Sequence, residues 1–229
     1  TIAAVNNNGI GVAGVAGGSG KNDGVRIMSC QIFSGGKSAA DAATARAVKY
    51  AADNGACIIQ CSYGYSSASG GSTMTTDKRF KEFSPLLVEA LEYFYNSKNC
   101  EALDGGIAIY AAGNDGKLVS SYPGAYSKNI SVTAIGPDGL PAAYTNYGPG
   151  CNIAAPGGEV SGFSGGAKAG ILSTVCSELP DTKDTDYAFL QGTSMACPHV
   201  SGVAALGLSY DRQEVHPRRI HRHDAHFCQ

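Results

Sequence analysis

The stretch "GTSMACPHVSGVAAL" (192–206) places a serine where a small, bendable turn passes into a long run of small and apolar residues. If that run is a helix, Ser194 stands at the positive end of the helix dipole, where negative charge is stabilised. A serine in this position can attack a carbonyl carbon, provided that a base removes its proton. The alternative is structural, because Ser194 or Thr193 could simply act as the helix N-cap. The two interpretations differ in whether a base that could activate Ser194 lies nearby.

Histidine is the usual base for such a serine, and the chain has 5 of them. His199 follows Ser194 on the same predicted helix. It lies about 140° around and ~7.5 Å along that helix, so it cannot reach the serine hydroxyl. The other four histidines all fall in the last 14 residues and are His216, His221, His223 and His226. Residues 1–210 therefore contain no histidine that could act as the base for Ser194.

A second candidate for a functional residue is Asn114, which closes the apolar run "GIAIYAAGN" (106–114). The alternative is an ordinary turn, because Gly-Asn-Asp is good turn chemistry. The position directly after an apolar strand favours the functional interpretation.

Strand-like runs alternate with helix-like runs, and this order predicts an α/β fold with a parallel sheet and helices on both faces. Active residues in such sheets collect at the carboxyl ends of the strands, where both Asn114 and the turn Ser62-Tyr63-Gly64 fall. The polar segment 65–83 is predicted to be a surface loop. The predicted strands are 25–33, 56–64, 106–114 and 129–136, and the predicted helices before residue 100 are 38–55 and 84–97.

Composition and decoy motifs exclude several other functions. A net charge of −2 over 229 residues gives no electrostatic footprint for nucleic acid, and no apolar run is long enough to span a bilayer. The 8 cysteines show no metal-binding spacing, and their pairing is left open. "GIGVAG" (9–14) lacks the helix and the acidic residue of a dinucleotide site. "GFSGG" (162–166) lacks the strand and helix of a nucleophile elbow, so Ser164 is interpreted as a loop serine.

Three segments together resemble the subtilisin-like serine peptidases, or subtilases. "GTSMACPHVSGVAAL" is similar to the segment around the family's nucleophilic serine, with Cys197 where a small residue is more usual. "AIYAAGNDG" (108–116) is similar to the strand that ends in the family's oxyanion asparagine, and "TIAAVNNNGIGVAGVAG" (1–17) to the stretch after the catalytic-histidine motif. "IIQCSYG" (58–64) fits the strand before a cleft-lining turn. The ordered match over about residues 1–210 implies the subtilisin-like three-layer fold, a mostly parallel sheet with helices on both faces.

The resemblance implies a serine endopeptidase that hydrolyses peptide bonds of a polypeptide bound in an extended conformation. Ser194 would be the nucleophile, and the Asn114 side-chain amide would bind the oxyanion together with the Ser194 backbone N–H. A roomy primary pocket, narrowed by Tyr63 and Tyr65, would accept large apolar side chains. The residues implied to line the substrate cleft, where they would pair with the substrate backbone, are Ser62, Tyr63, Gly64, Ala111, Ala112 and Gly113.

In the family the catalytic aspartate and histidine precede the serine, and the first residues of this chain resemble the stretch just after that histidine. We therefore expect residues 1–229 to lack both groups and, taken alone, to be inactive or nearly so. Two alternatives stay open: a non-catalytic peptide-binding module, and a fragment that works with a separate chain carrying the missing groups. Most relatives are secreted, which implies an extracellular or periplasmic protein.

The family also binds structural calcium at the loop that matches "NNNGIGV" (6–12). Asn7 or Asn8 could supply an oxygen ligand, but calcium takes six or more oxygens and this segment alone offers too few. The chemistry that the resemblance implies requires no cofactor.

The segment 211–229, "DRQEVHPRRIHRHDAHFCQ", differs abruptly in composition from everything before it. It crowds histidine and basic residues together without the period of a helix or a strand. We therefore expect residues 1–210 to form a partial catalytic domain and the tail to lie outside the fold. A frameshifted or otherwise unnatural end, a genuine disordered tail and a His-rich metal-binding tail are the alternatives.

Overall fold

The computed structural model describes residues 1–34, 37–38, 40–65, 71, 74–176 and 185–211. Within them the main sheet has four parallel strands, adjacent in chain order, and two antiparallel pairs lie outside it. The main strands are β3 (Ile58–Cys61), β4 (Ile107–Ala111), β5 (Ile130–Ile135) and β6 (Ile153–Pro156). The antiparallel pairs are β1 (Phe33–Ser34) with β2 (Lys37–Ser38), and β7 (Ile171–Thr174) with β8 (Tyr187–Leu190).

Helices cover both faces of the main sheet, as the sequence predicts. Successive residues of a strand point to opposite faces, so Ile59 packs on one side and Ile58 on the other. One core cluster joins the sheet to α1 and α3, and a second joins it to α4. The helices are α1 (Asp41–Asp53), α2 (Asp77–Phe83), α3 (Pro85–Tyr95) and α4 (Thr193–Asp211), and a short 3₁₀ turn covers Gly166–Ala169.

The prediction that residues 65–83 form a loop without secondary structure is wrong for its second half, because α2 occupies Asp77–Phe83. Thr76 caps this helix through its side chain, which accepts a hydrogen bond from the Arg79 amide at 3.3 Å. Phe80 is fully buried against Tyr122 and Tyr126. A helix of seven residues is too short to show a clear apolar period, so the sequence pattern does not indicate it. The buried side chain of Phe80 holds α2 against the core.

The prediction of a strand over residues 25–33 also needs correction, because only Phe33 of that range lies in a described strand. Residues 25–32 have no strand partner among the described residues, and Ile27 is 61% exposed. A β-branched run forms a strand only when a neighbouring strand takes up its N–H and C=O groups. A cavity of about 1250 Å³ separates this run from β3.

Two further expectations from the sequence concern the C-terminal segment 211–229 and membrane-spanning segments. The tail, apart from Asp211 at the end of α4, lies outside the described residues, so its separation from the fold stays a prediction. No helix in the described part of the chain combines the length and apolar character that crossing a bilayer requires.

Candidate active site

The start of α4 is held by the side chain of Asn114. The Asn114 Oδ1 atom accepts hydrogen bonds from the Thr193 backbone N–H at 2.8 Å and from the Thr193 hydroxyl at 2.9 Å. The Thr193 hydroxyl oxygen in turn accepts a hydrogen bond from the Gly113 amide at 3.2 Å. The first N–H groups of a helix have no partner inside the helix, so a side chain from the end of β4 supplies one. Because its oxygen is engaged, Asn114 has its Nδ2 group left to donate elsewhere.

Two N–H donors flank the same small space beside Gly192. A Cβ atom built on Gly192 would lie 3.4 Å from Asn114 Nδ2 and 3.6 Å from the Ser194 backbone nitrogen. Gly192 has φ +143°, a conformation that residues with side chains rarely adopt. Glycine therefore both permits the turn and keeps the space between the donors open. The structure thus brings together the two groups that the sequence predicts as oxyanion donors.

Ser194 and Ser62 exchange a pair of hydrogen bonds. The Ser194 hydroxyl donates to the Ser62 carbonyl oxygen at 3.3 Å, and the Ser62 hydroxyl donates to the Ser194 carbonyl oxygen at 2.8 Å. Pro198 explains the second bond, because a proline has no N–H to give to the carbonyl four residues earlier. The Ser62 hydroxyl thus satisfies a helix carbonyl that the proline leaves without its usual donor.

Gln60 connects this pair of serines to the buried face of α4. Its side-chain amide donates to the Ser62 hydroxyl oxygen at 2.6 Å and to the Cys197 sulfur at 3.4 Å. Cys197 is fully buried, and its thiol points at the carbonyl oxygen of Ile109 at 3.5 Å. The sequence analysis missed Gln60, since a single polar residue in an apolar strand gives no indication of its partners.

Residues 121–122 contact both of the predicted cleft walls, 62–64 and 111–113. A Cβ atom on Gly64 would lie 3.2 Å from the Tyr122 carbonyl oxygen, and the Ser121 amide donates to the Ala112 carbonyl oxygen at 2.8 Å. Ala111 and Ala112 are both buried, so their side chains leave little bulk at this edge of the sheet. The role of these segments in substrate binding stays a prediction.

Tyr63 and Tyr65, which the sequence suggests as residues that narrow the pocket, turn their rings into the protein. The Tyr63 ring packs edge-on against Tyr110 with centroids 5.6 Å apart. The Tyr65 ring packs against Phe83 with centroids 5.3 Å apart, and its hydroxyl donates to Asp41 at 2.7 Å. Both rings pack against the core cluster while staying partly exposed, and their effect on the width of a pocket stays a prediction.

Asn146 is a second residue that the sequence analysis missed. Its side chain is 1% exposed, and Oδ1 accepts hydrogen bonds from the Asp115 and Lys117 amides at 3.0 and 3.1 Å. Its Nδ2 group donates to the Ala112 carbonyl oxygen at 3.0 Å. These bonds fix both sides of the turn that carries Asn114. Nothing in the sequence indicates them, because Asn146 is remote along the chain.

His199 behaves as the helical geometry predicts. Its Nδ1 atom lies 2.8 Å from the Met195 carbonyl oxygen, one turn earlier in α4. Burial lowers the pKa of His199, which disfavours a charged imidazolium there. Among the described residues, the Ser194 hydroxyl has its hydrogen bond to a backbone carbonyl and none to a histidine or a carboxylate.

The loop that resembles a calcium site holds one orphaned oxygen. Asn6 Oδ1 is buried without a hydrogen-bond partner in the described structure, whereas Asn8 Oδ1 accepts from the Ile10 amide at 3.0 Å. In the part of the chain that the structure describes, no three His, Cys, Asp or Glu side chains are arranged to hold a metal ion. Calcium takes six to eight oxygens, so residues 6–12 alone do not complete such a site, and calcium binding stays a prediction.

Because of two buried thiols beneath the site, the free energy of unfolding changes with pH in the alkaline range. Burial raises the pKa of Cys61 from 9.0 to about 12 and that of Cys197 from 9.0 to about 11. Between about pH 9 and pH 12 the unfolded chain therefore releases protons that the folded chain keeps. The unfolded state then binds fewer protons, so the free energy of unfolding falls as the pH rises through this window.

We expect the urea midpoint of residues 1–229 to be lower at about pH 10.5 than at about pH 8, and Cys197→Ala to reduce that difference. Alanine lacks the ionisable thiol, so the variant loses one of the protons that couple folding to pH. Tryptophan is absent from the chain, so circular dichroism is the suitable measurement. A midpoint that rises between these pH values would contradict the assignment of the thiols as buried and neutral.

The fold is an α/β fold, a parallel sheet between two layers of helices. A serine and an asparagine amide lie together at the start of α4. The subtilase family model matches residues 1–223, and the chain belongs to the subtilase family. This confirms the resemblance seen in the sequence.

The individual relatives are proteases, and each is longer than this chain. Thermitase of Thermoactinomyces vulgaris is 31% identical over 210 residues, which cover 92% of this chain and 59% of that protein. An extracellular protease of Xanthomonas campestris pv. campestris is 34% identical over 218 residues, covering 90% of this chain and 31% of that protein. A solved structure of proteases from Pseudoalteromonas arctica matches with a TM-score of 0.60 and 30% identity, covering 90% of this chain and 55% of that one. The chain thus spans less than two thirds of the length of these relatives.

Proposed function

We propose that this chain carries the nucleophile and the oxyanion site of a subtilisin-type serine endopeptidase that cleaves polypeptides. The observation that carries the proposal is the pair of donors beside Gly192, the Asn114 amide and the Ser194 backbone N–H. A helix cap alone would require the Asn114 oxygen, whereas the Asn114 nitrogen also lies 3.4 Å from the position that a Cβ atom on Gly192 would take. Donors fixed before the reaction stabilise the charge that develops in the transition state without reorganising.

In the proposed reaction the Ser194 hydroxyl oxygen attacks the carbonyl carbon of the scissile peptide bond. The carbonyl oxygen becomes negative and is bound between the two donors. Collapse of this intermediate breaks the carbon–nitrogen bond while the base that took the Ser194 proton passes it to the leaving amine nitrogen, and the acyl-enzyme that remains on Ser194 is then hydrolysed by water. The substrate lies extended between the segments 62–64 and 111–113 and pairs with their backbone as an added strand.

The proton of Ser194 is the limiting feature of this proposal for residues 1–229. The Ser194 hydroxyl donates to the Ser62 carbonyl, which cannot accept a proton as a base does. His199 is bound to its own helix. The base is therefore proposed to come from residues outside 1–229, and a polypeptide of 1–229 alone is proposed to be nearly inactive.

The lack of a base at the Ser194 hydroxyl also favours a second candidate, a peptide-binding module that does not hydrolyse its ligand. Such a module would use the cleft segments and leave Ser194 unreactive even in the longer protein. Since one relative is named an extracellular protease, we also propose that either form acts outside the cytoplasm, in the extracellular space or the periplasm.

A fluorophosphonate probe separates the two candidates. We expect the chain, extended upstream with the residues that its gene encodes, to be labelled at Ser194, because only an activated serine reacts with the probe. Mass spectrometry of the digested protein locates the label, and Ser194→Ala is the unlabelled reference. Binding of a peptide without any labelling would support the non-catalytic module, and labelling at Ser164 instead would contradict the assignment of the nucleophile.

A further inference from the structure

The chain contains two Asn-Gly pairs, Asn8-Gly9 and Asn54-Gly55. An asparagine before a glycine is prone to spontaneous deamidation, because glycine has no Cβ atom to hinder the approach of its amide nitrogen to the asparagine side chain. Both pairs are exposed at the surface, so access of water does not distinguish them. They differ in how the fold holds the asparagine side chain and the glycine amide.

The pair Asn54-Gly55 is held at the end of α1. The Asn54 Nδ2 group donates to the Tyr50 carbonyl oxygen at 2.8 Å, and the Gly55 amide donates to the Ala52 carbonyl oxygen at 3.3 Å. Gly55 has φ +87°, the left-handed conformation that commonly ends a helix. Both groups that would have to react are therefore engaged in bonds to α1, and a reaction there requires the end of the helix to open.

The pair Asn8-Gly9 lies in a segment without such bonds. In the described part of the chain, residues 8–12 make no backbone–backbone hydrogen bond. Neither the Gly9 amide nor the Asn8 Nδ2 group has a hydrogen-bond partner among the described residues. A Cβ atom built on Gly9 would have no atom within 4 Å, so the space around it is open. The Gly9 nitrogen can therefore approach the Asn8 side chain without breaking a bond.

The side-chain carbonyl of Asn8 is also polarised in the sense that attack on it requires. Its Oδ1 atom accepts a hydrogen bond from the Ile10 amide at 3.0 Å, which folds the side chain back over the Gly9 peptide. When a nitrogen attacks the Cγ atom, this oxygen becomes negative, and an N–H already directed at it stabilises the charge. No described group donates to the Oδ1 atom of Asn54.

We propose that Asn8 is a site of spontaneous deamidation and that the fold protects Asn54 from the same reaction. The Gly9 nitrogen gives its proton to water and bonds to the Asn8 Cγ atom, after which the Cγ–Nδ2 bond breaks and ammonia leaves with a proton from water. Water then opens the cyclic succinimide at one of its two carbonyl carbons and returns a proton to the Gly9 nitrogen. The product is aspartate or isoaspartate at position 8, so water is consumed, ammonia is released and the segment gains one negative charge.

Peptide mapping follows both pairs in one sample. The chain extended upstream of Thr1, with Ser194→Ala to prevent self-cleavage, is incubated at mildly alkaline pH and digested with trypsin. Deamidation raises the mass of a peptide by about 1 Da. The peptide that ends at Lys21 carries Asn8, and the peptide 50–78 carries Asn54. We expect the mass gain at Asn8 to be at least about 10-fold faster, because Asn54 reacts only after the end of α1 opens.

Two variants and a denaturant locate the cause. Asn8→Gln should abolish the gain in the peptide that ends at Lys21, because glutamine would have to close a larger ring, whereas Asn7→Asp should keep it. Asn7 has φ +56°, a conformation that aspartate also tolerates. In urea the rates at Asn8 and Asn54 should become similar, since the fold no longer distinguishes them. Equal rates in the folded protein overturn the proposal, and so does a gain that survives Asn8→Gln.

Discussion

A polypeptide of residues 1–229 should hydrolyse a chromogenic peptide about 10⁶-fold more slowly in kcat than the same chain extended upstream of Thr1. The factor is taken over from subtilisin itself, where removal of the nucleophile or its base costs this much. The physical reason is that the hydroxyl of Ser194 keeps its proton when its hydrogen-bond acceptor is the Ser62 carbonyl. About 10³–10⁴ over water should survive, from binding and the oxyanion donors alone.

The measurement requires both proteins to be folded, which circular dichroism establishes before the assay. Ser194→Ala in the extended protein should abolish the gained activity again, and Ser164→Ala should leave it unchanged because Ser164 lies in a turn rather than at the start of a helix. A burst of product from residues 1–229 would contradict the prediction. It would mean that a base within these residues, such as a histidine of the tail, reaches Ser194.

The positions of Ser194 and Asn114 could be predicted from the sequence because each depends on a local pattern. A glycine turn before an apolar helix places Ser194, and the end of an apolar strand places Asn114. Both patterns lie within a few residues, where periodicity is informative. The parallel pairing of β3 with β4 follows from the helices between them, whereas β4, β5 and β6 follow one another without a helix, so alternation does not predict their parallel order.

The bonds that hold the site could not be predicted, because each joins residues far apart in sequence. Gln60 and Cys197 are 137 positions apart, and Asn114 and Thr193 are 79 apart. No local pattern encodes which polar side chain will face another across a core. The pairing of Ser62 with Ser194 depends in addition on a carbonyl that Pro198 leaves without a helical donor.

The run 25–33 shows the same limit for a strand. Its β-branched residues predict a strand, and residues 25–32 lack one because no described segment occupies the neighbouring position in the sheet. The β-branched residues give the run a propensity for strand structure. Whether a strand forms depends on a neighbouring strand, which the run itself does not specify.

Replacement of Asn114 by leucine in the extended protein should lower kcat by about 10²–10³, or about 2.7–4 kcal/mol, with little change in KM. The range is the loss that subtilisin shows when its oxyanion asparagine is removed. The amide nitrogen acts on charge that exists only in the transition state, so the loss should appear in kcat. Leucine also removes the oxygen that accepts from Thr193 at 2.8 and 2.9 Å, so the melting temperature should fall as well.

Asn114→Asp separates the two parts of the side chain. Aspartate keeps an oxygen for the Thr193 amide and hydroxyl, and its negative charge suits the start of a helix, so the melting temperature should stay close to that of the parent protein. It has no N–H to donate, and its charge would repel an oxyanion beside Gly192. We therefore expect kcat to fall at least as far as in the leucine variant. If Asn114 served only to cap α4, the aspartate variant would retain full kcat, and the oxyanion role would have to be abandoned.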